Sequence, residues 1–154
     1  MLRSLFCAWV ARGAAVDQLL RAVHAHDGGS GKGDTEVEEH VAAVFAKISG
    51  TRDGRAALAA KSETASSHGV LQWIAKASGR SVCATDATGR GRACSCAEAL
   101  ANFACHAGTE GTLETLQGTG GIGAIETLCR DSVDDLTLQY ATAALAALQQ
   151  KMAK

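Results

Sequence analysis

The sequence contains no proline and few aromatic residues. Only 4% of its 154 residues are aromatic, while alanine, leucine and glycine abound. Sheets are usually rich in β-branched and aromatic side chains, whereas alanine and leucine favour helices that end at glycines. The composition therefore predicts an all-α protein.

Long hydrophobic runs are also missing, and so is an excess of one charge. No apolar run reaches the roughly 20 residues of a membrane-spanning helix, so we expect no membrane association. The formal net charge is −1, which gives no overall electrostatic reason to bind nucleic acid. Residues 47–92 are an exception, with eight basic and three acidic side chains between two acidic thirds. A solvated face is the commoner explanation of such a patch.

The cysteines do not form the compact repeating framework of a small disulfide-rich protein. They are Cys7, Cys83, Cys94, Cys96, Cys105 and Cys129. We therefore expect free, mostly buried thiols and a reducing, intracellular compartment, with the cytoplasm as the first choice. The alternative is the mitochondrion, because MLRSLFCAWVARGAA has arginines and no acidic residue before Asp17, the pattern of a transit peptide.

The sequence repeats itself three times. Three helical stretches align, AAVFAKIS (42–49), AEALANFA (97–104) and ATAALAAL (141–148). From Phe45 to Leu100 is 55 residues and from Leu100 to Leu145 is 45, so the third copy is about ten residues shorter. Each of the three follows another stretch with apolar residues three apart, on one face of a helix. The unit is a short helix, a glycine turn, a middle helix, a connection and a longer helix.

The third copy closely resembles an armadillo repeat. GTGGIGAIETLCRDSVDDLTLQYATAALAAL (118–148) has the glycine turn, the Ile/Leu helix, the acidic break and the closing Ala-Leu-rich helix of that family. CAEALANFACHAGTEGTLETL (96–116) matches the end of one repeat and the start of the next. The resemblance implies a single domain over residues 1–154, a right-handed α-solenoid of about three repeats; HEAT-like repeats are the alternative. The repeats would span roughly 2–50, 51–107 and 108–150.

A solenoid has consequences for the turns and for the ends. LRSLFCAWVARG would be the first helix of repeat one, closed by Gly13, with Gly69 and Gly123 at the equivalent turns, where glycine tolerates positive φ. One repeat cannot bury its apolar stripe alone, so a neighbour must cover it. We therefore expect a self-contact or a partner to cover at least one end. The end residues are Leu2, Leu5, Phe6 and Trp9, and Leu136, Leu145 and Leu148.

The stretch HAHDGGSGKGDTEVEEH (24–40) superficially resembles a phosphate-binding loop. Such a loop needs Gly, four residues and then Gly-Lys-Ser/Thr, but His26 and Gly33 stand at the two essential ends. We therefore predict a flexible connector, followed by a capping box from Thr35 to Glu38 that opens the next helix. The equivalent stretch of repeat two, SGRSVCATDATGRGR, is predicted to be a connector as well.

The resemblance also implies where a partner would bind. Armadillo proteins bind extended peptides along a groove lined by third helices, where a recurrent Asn hydrogen-bonds the peptide backbone. Of the three equivalent positions here, Asn102 alone keeps that residue, and no tryptophan stands one turn earlier, so general binding of basic localisation signals is not expected. A plain solvated surface is the alternative interpretation. The candidate contact residues are Asn102, Lys47, Glu98, Glu39 and Gln139.

No residue pattern predicts catalysis or a metal site. Cys94, Cys96, Cys105 and His106 invite a zinc hypothesis, but Cys94 and Cys96 would point about 200° apart on one helix, and structural zinc favours Cys-x2–4-Cys spacing. We expect core cysteines, no cofactor and no metal. Neither a Ser-His-Asp order nor a His-Glu metal motif is present, so we expect no enzyme activity.

The sequence therefore predicts a protein–protein interaction module, a scaffold or subunit of a larger assembly. Its partner would be a protein that presents a peptide or a helix to the groove, and the exposed ends offer a route to self-association. The alternative is a nucleic-acid-associated protein that uses the central basic patch, although the patch has no interleaved aromatic residues. The patch consists of Lys47, Arg52, Arg55, Lys61, Lys76, Arg80, Arg90 and Arg92.

Overall fold

The computed structural model describes residues 14–25, 32–60, 69–107 and 112–153, and within these ranges every regular element is a helix. The all-α prediction is confirmed for this part of the chain. No helix found there is both long and apolar enough to span a bilayer. The helices are α1 (Ala14–Ala25), α2 (Lys32–Ser49), α3 (Arg52–Ala60), α4 (Val70–Ser81), α5 (Ala87–Cys105), α6 (Thr112–Gly118), α7 (Gly121–Asp131) and α8 (Asp135–Met152).

The three long helices α2, α5 and α8 lie next to one another. They contain 18, 19 and 18 residues, and α5 packs against both α2 and α8. A second row begins with α4, which contacts α5 and α7, and α7 in turn contacts α8. The short helices α3 and α6 connect successive long and middle helices. The order of a short, a middle and a long helix thus occurs twice, in α3–α4–α5 and in α6–α7–α8.

The core runs along this arrangement. Phe45 of α2 and Leu100 of α5 are completely buried, and Leu145 of α8 is half-buried against the same core. Phe45 also meets the ring of Trp73 edge to face, with the ring centroids 5.7 Å apart. Burying a side chain of this size contributes roughly 1.5–3 kcal/mol. The three positions that align in the sequence therefore contribute to one continuous apolar interior.

Two of the long helices begin at an aspartate. The Asp86 carboxylate accepts a hydrogen bond from the Gly89 backbone nitrogen at 2.9 Å, and Asp134 accepts one from the Thr137 nitrogen at 2.8 Å. These bonds satisfy backbone donors that the first helical turn leaves unpaired. The acidic break DSVDD therefore ends one helix and supplies the cap of the next.

The turn glycine that was predicted for the third repeat is not the one that the structure uses. Gly123 lies inside α7, whereas Gly120, just before α7, has the positive φ of 78° that a left-handed turn requires. Gly69 does precede α4, but its φ of −67° is one that any residue adopts. Gly13 lies outside the described residues. A glycine does occupy the left-handed turn, but in a run of four candidate glycines the sequence alone does not identify which one.

Two predicted connections are shorter than expected. Helix α2 already begins at Lys32, so Thr35 lies inside it and the capping-box prediction is wrong. In SGRSVCATDATGRGR only residues 82–86 separate α4 from α5, and the rest is helical. A Cβ added to Gly89 would come within 2.3 Å of the Ala84 Cβ, so this glycine provides room for packing rather than flexibility. The remaining residues of the first connection, 26–31, lie outside the described part.

Candidate interaction surface

The five candidate contact residues lie on the three long helices. Glu39 and Lys47 belong to α2, Glu98 and Asn102 to α5, and Gln139 to α8. Four-residue and eight-residue spacings place the members of each pair on one side of their helix. We call the surface that these five residues define the third-helix surface. The structure brings the first four together along the α2–α5 junction, and Gln139 is exposed on the neighbouring helix.

Asn102 is held in place by the preceding long helix. Its amide nitrogen donates to the Ser49 hydroxyl at 3.0 Å and to the Ala46 carbonyl at 3.3 Å. The Ala46 carbonyl oxygen can only accept a hydrogen bond, so the NH₂ group of the Asn102 amide, and not its oxygen, must face α2. The amide oxygen accepts no hydrogen bond from the described residues, and it is not sealed from solvent. A hydrogen-bond acceptor of fixed direction is therefore left without a protein partner at the half-buried α2–α5 junction.

Lys47 and Glu98 form an ion pair across the same junction. The Lys47 Nζ lies 3.2 Å from the Glu98 Oε1, and the two side chains are 75% and 24% exposed. An exposed pair of this kind contributes little to stability, about 0–1 kcal/mol. Either side chain can therefore leave this pair and bind an oppositely charged group of a ligand at a small cost in free energy.

Glu39 lies close to the backbone of α5. A Cβ added to Gly91 would be 2.2 Å from the Glu39 Oε1, so the carboxylate fits only because position 91 has no side chain. The side chain of Glu39 is half-buried as a result. This contact fixes one negative charge at the edge of the third-helix surface, one helical turn before Ala43 and two before Lys47.

The α8 part of the surface is smooth and uncharged. Gln139 and Ala143 are exposed and Ala147 is half-buried, so only one polar side chain projects here. Cys94 of α5 lies nearby, and burial, helped by the Asp134 and Glu98 carboxylates, raises the pKa of its thiol. The thiol is therefore neutral and adds no charge to the junction of α5 and α8.

A buried ionic cluster lies below this surface, and no sequence pattern predicted it. Glu38 of α2, only 6% exposed, accepts hydrogen bonds from Arg80 at the end of α4 and from Arg92 of α5. Arg92 is 7% exposed and also donates to the Ser81 hydroxyl. We call these four residues the Glu38 cluster. The local sequence suggests only a charge near a helix start, because nothing in it shows that residues 42 and 54 positions later converge on Glu38.

The structure buries or pairs four of the eight cations of the central basic patch. Arg55 and Arg92 are buried, and Arg55 donates to the Ser49 carbonyl at 3.0 Å, where it caps the end of α2. Arg80 and Lys47 are paired with glutamates of α2 and α5. Arg52, Lys76 and Arg90 are exposed, and Lys61 lies outside the described residues. Burial and ion pairing therefore reduce the number of patch cations that a phosphate group could reach.

The cysteines lie in different environments. Cys83, Cys94, Cys96, Cys105 and Cys129 are all free thiols, whereas Cys7 is outside the described residues. Only Cys96 is fully buried, and burial raises its pKa to about 12. The expectation of mostly buried thiols is therefore too broad. Within the described residues, no three His, Cys, Asp or Glu side chains converge to hold a metal ion.

A shallow groove opens between the middle helices α4 and α7. Its volume is about 330 Å³, and among its lining residues Lys76 carries the one charge. A Cβ added to Gly79, Gly120 or Gly123, which border it, would touch nothing within 4 Å. The groove offers few polar groups, so specific recognition is better supported at the α2–α5 junction.

Comparison with known proteins gives no relative: the chain matches no protein-family model, no curated protein and no solved structure.

Proposed function

We propose that this chain is a non-catalytic protein-interaction module, an armadillo-type solenoid that serves as a scaffold or subunit of a larger assembly. Its partner binds along the third-helix surface as an extended peptide or a helix, and a further contact is made at an apolar end. The observation that carries this proposal is Asn102, whose amide is fixed by α2 and whose oxygen accepts no hydrogen bond from the described residues.

The helix order supports the armadillo assignment over a HEAT-like one. Two successive triplets of a short, a middle and a long helix are present, whereas HEAT units have two helices. The buried residues Phe45 and Leu100 also occupy aligned positions of adjacent long helices. Both features are expected when repeats stack and share one apolar interior.

The chemistry of the α2–α5 junction suits a peptide backbone. The Asn102 oxygen can accept one backbone N–H, and because the amide is already oriented, little side-chain entropy is lost on binding. Beside it, the Lys47–Glu98 pair offers one charge of each sign. The uncharged α8 part would accept apolar or small side chains of the same partner. The surface is therefore suited to one dedicated partner of mixed polarity.

The proposal is tested by capture from native extract with the purified chain, followed by crosslinking and mass spectrometry. We expect a partner whose crosslinks fall on α2 and α5, and Asn102→Ala should weaken its binding by about tenfold, the effect of one well-placed hydrogen bond. Gln117→Ala on α6, exposed and outside the three long helices, is the matched control. Thermal unfolding of both variants separates lost binding from lost folding.

Two results would contradict the proposal. One is a chain that captures no protein under mild conditions. The other is a partner whose crosslinks avoid the long helices and whose affinity is the same for the Asn102→Ala and Gln117→Ala variants.

A further inference from the structure

One flank of α8 carries a regular stripe of mostly exposed residues. It consists of Leu138, Thr142, Leu145, Gln149 and Met152, which follow one another at spacings of four, three, four and three residues. We call it the α8 stripe. Leu138 is 38% and Met152 63% exposed, and Leu145 is half-buried. The apolar members recur every seven residues, which is the spacing of a seam between two paired helices.

The same flank is covered on the other two long helices. The offsets of 55 and 45 residues align Ala42 and Ala46 of α2 with Ala97 and Ala101 of α5, and all four are buried. On α2 this flank faces α5, because Ala46 accepts a hydrogen bond from Asn102. The aligned residues of α8 are Thr142 and Ala146, and both are exposed.

The next aligned position repeats this difference. Ser49 and Ala104 are buried, whereas Gln149 is exposed. The α8 stripe is therefore the continuation of an interface that is filled twice within the molecule, first by α5 on α2 and then by α8 on α5. In both places the occupant is a helix that lies alongside.

From this continuity we infer that the α8 stripe pairs with the α8 stripe of a second copy of the chain, in an antiparallel helix pair related by a two-fold axis. Self-complementary patches of this kind produce closed dimers, the commonest oligomers. The stripe spans about 21 Å, and each copy contributes two exposed apolar side chains, Leu138 and Met152, on either side of the half-buried Leu145. This inference deepens the proposed function, since it names the occupant of the apolar end and leaves the third-helix surface available.

The charges of α8 favour the antiparallel direction. Asp134 and Asp135 stand at its start and Lys151 in its last turn. A parallel pair would bring the two acidic starts together, and like charges that face each other destabilise a helix pair. In the antiparallel pair each acidic start lies at the basic end of the other helix, and the two helix dipoles oppose each other. Leu138 then faces Gln149 of the second copy.

Sedimentation velocity over a concentration series tests the inference on the purified full chain. We expect a monomer–dimer equilibrium, and Leu138→Glu should raise its dissociation constant by at least about tenfold, because the charge enters the seam twice per dimer. Met152→Glu should act in the same direction and lies too far from the core to unfold the chain. The matched control is Leu136→Glu, since Leu136 is 49% exposed on the same helix but lies outside the stripe.

Mixing two variants tests the direction of the pair. Leu138→Glu and Gln149→Lys each weaken the dimer alone, but an antiparallel mixture places the new glutamate against the new lysine. The mixture should therefore recover dimer. A parallel pair would instead place the new glutamate against Leu138 of the other variant and recover none.

Three outcomes overturn the inference: a wild-type chain that is monomeric at every concentration, equal effects of Leu136→Glu and Leu138→Glu, and a mixture that does not dimerise. None of them bears on the third-helix surface, whose test is capture of a partner by the Asn102 and control variants. A monomeric chain that still captures a partner through α2 and α5 would end this inference and leave the proposed function intact.

Discussion

Glu38 shows how a single side chain can depend on groups far away in the sequence. A buried carboxylate loses its hydration, and only nearby positive charges with hydrogen bonds can offset that cost. Arg80 and Arg92 provide both, with the Arg80 Nη2 at 2.9 Å from the Glu38 Oε1. Since α2, α4 and α5 each contribute a residue, the cluster fixes how these helices sit against one another.

We predict that Glu38→Gln destabilises the chain by about 3–5 kcal/mol, because the buried Arg92 is left without its counter-charge. Urea-induced unfolding followed by circular dichroism measures the change. The comparison variant is Lys47→Gln, which removes the exposed pair with Glu98 and should cost less than about 1 kcal/mol. Equal effects of the two substitutions would mean that Glu38 and Arg92 do not form a buried ion pair in solution.

At the scale of a helix, the start of α8 depends on Asp134. The backbone hydrogen bond from Thr137, and then the one from its hydroxyl, lower the pKa of this carboxyl below its usual value. A depressed carboxyl pKa means that ionised Asp134 stabilises the folded state above the unfolded pKa of about 4, and that this contribution is lost as the pH falls through the folded pKa.

We predict that Asp134→Ala costs about 0.5–2 kcal/mol near neutral pH, the usual effect of losing a helix cap. The difference from wild type should shrink as the pH falls below about 4, where the carboxyl takes up a proton. Thermal unfolding over a pH series measures it. Asp134→Asn keeps a neutral cap, so its advantage over the alanine variant should not vary with pH. If the stability difference between wild type and Asp134→Ala grew as the pH fell, the assignment of ionised Asp134 as the cap would be wrong.

The helices were predictable where their ends are marked by local chemistry. The acidic break before α8 marks both a helix end and a cap, and the 55- and 45-residue offsets identified the long helices. The start of α5 was not predictable, because ATGRGR has the composition of a loop. It is helical since Gly89 and Gly91 lie against Ala84 and Glu39, and such close approach depends on tertiary neighbours that no local pattern shows.

The candidate contact residues were predicted from the alignment of the repeats, which assigns Lys47, Glu98 and Asn102 to the long helices. In the structure these three residues lie at the α2–α5 junction. The use of the Asn102 nitrogen by α2 was not foreseen, because the register between two long helices follows from packing. The burial of Arg55 and Arg92 was missed for the same reason, since a count of charges does not show which side chains are buried.

At the scale of the molecule, α5 is the central element. It contacts α2, α4 and α8, so its amides should open only when the whole chain unfolds. At protein concentrations at which the chain is monomeric, we predict the slowest hydrogen exchange in the middle of α5, around Leu100, and exchange in α1 and α8 faster by about tenfold or more. Hydrogen–deuterium exchange with peptide mass spectrometry measures this order. Equal protection of α8 and α5 in the monomer would contradict this order. Self-pairing at high protein concentration should raise the protection of α8, and dilution should lower it again.

The Glu38 cluster also makes the long helices α2, α5 and α8 non-interchangeable. Glu38 aligns with Ala93 on α5 and with Leu138 on α8, so the acidic partner of Arg92 exists at one boundary and nowhere else along the row. If a second copy of the α3–α4–α5 triplet followed α5, its arginine would meet Ala93 and stay buried without a counter-ion. We therefore expect duplication of this triplet to destabilise the chain more than a substitution on its surface does.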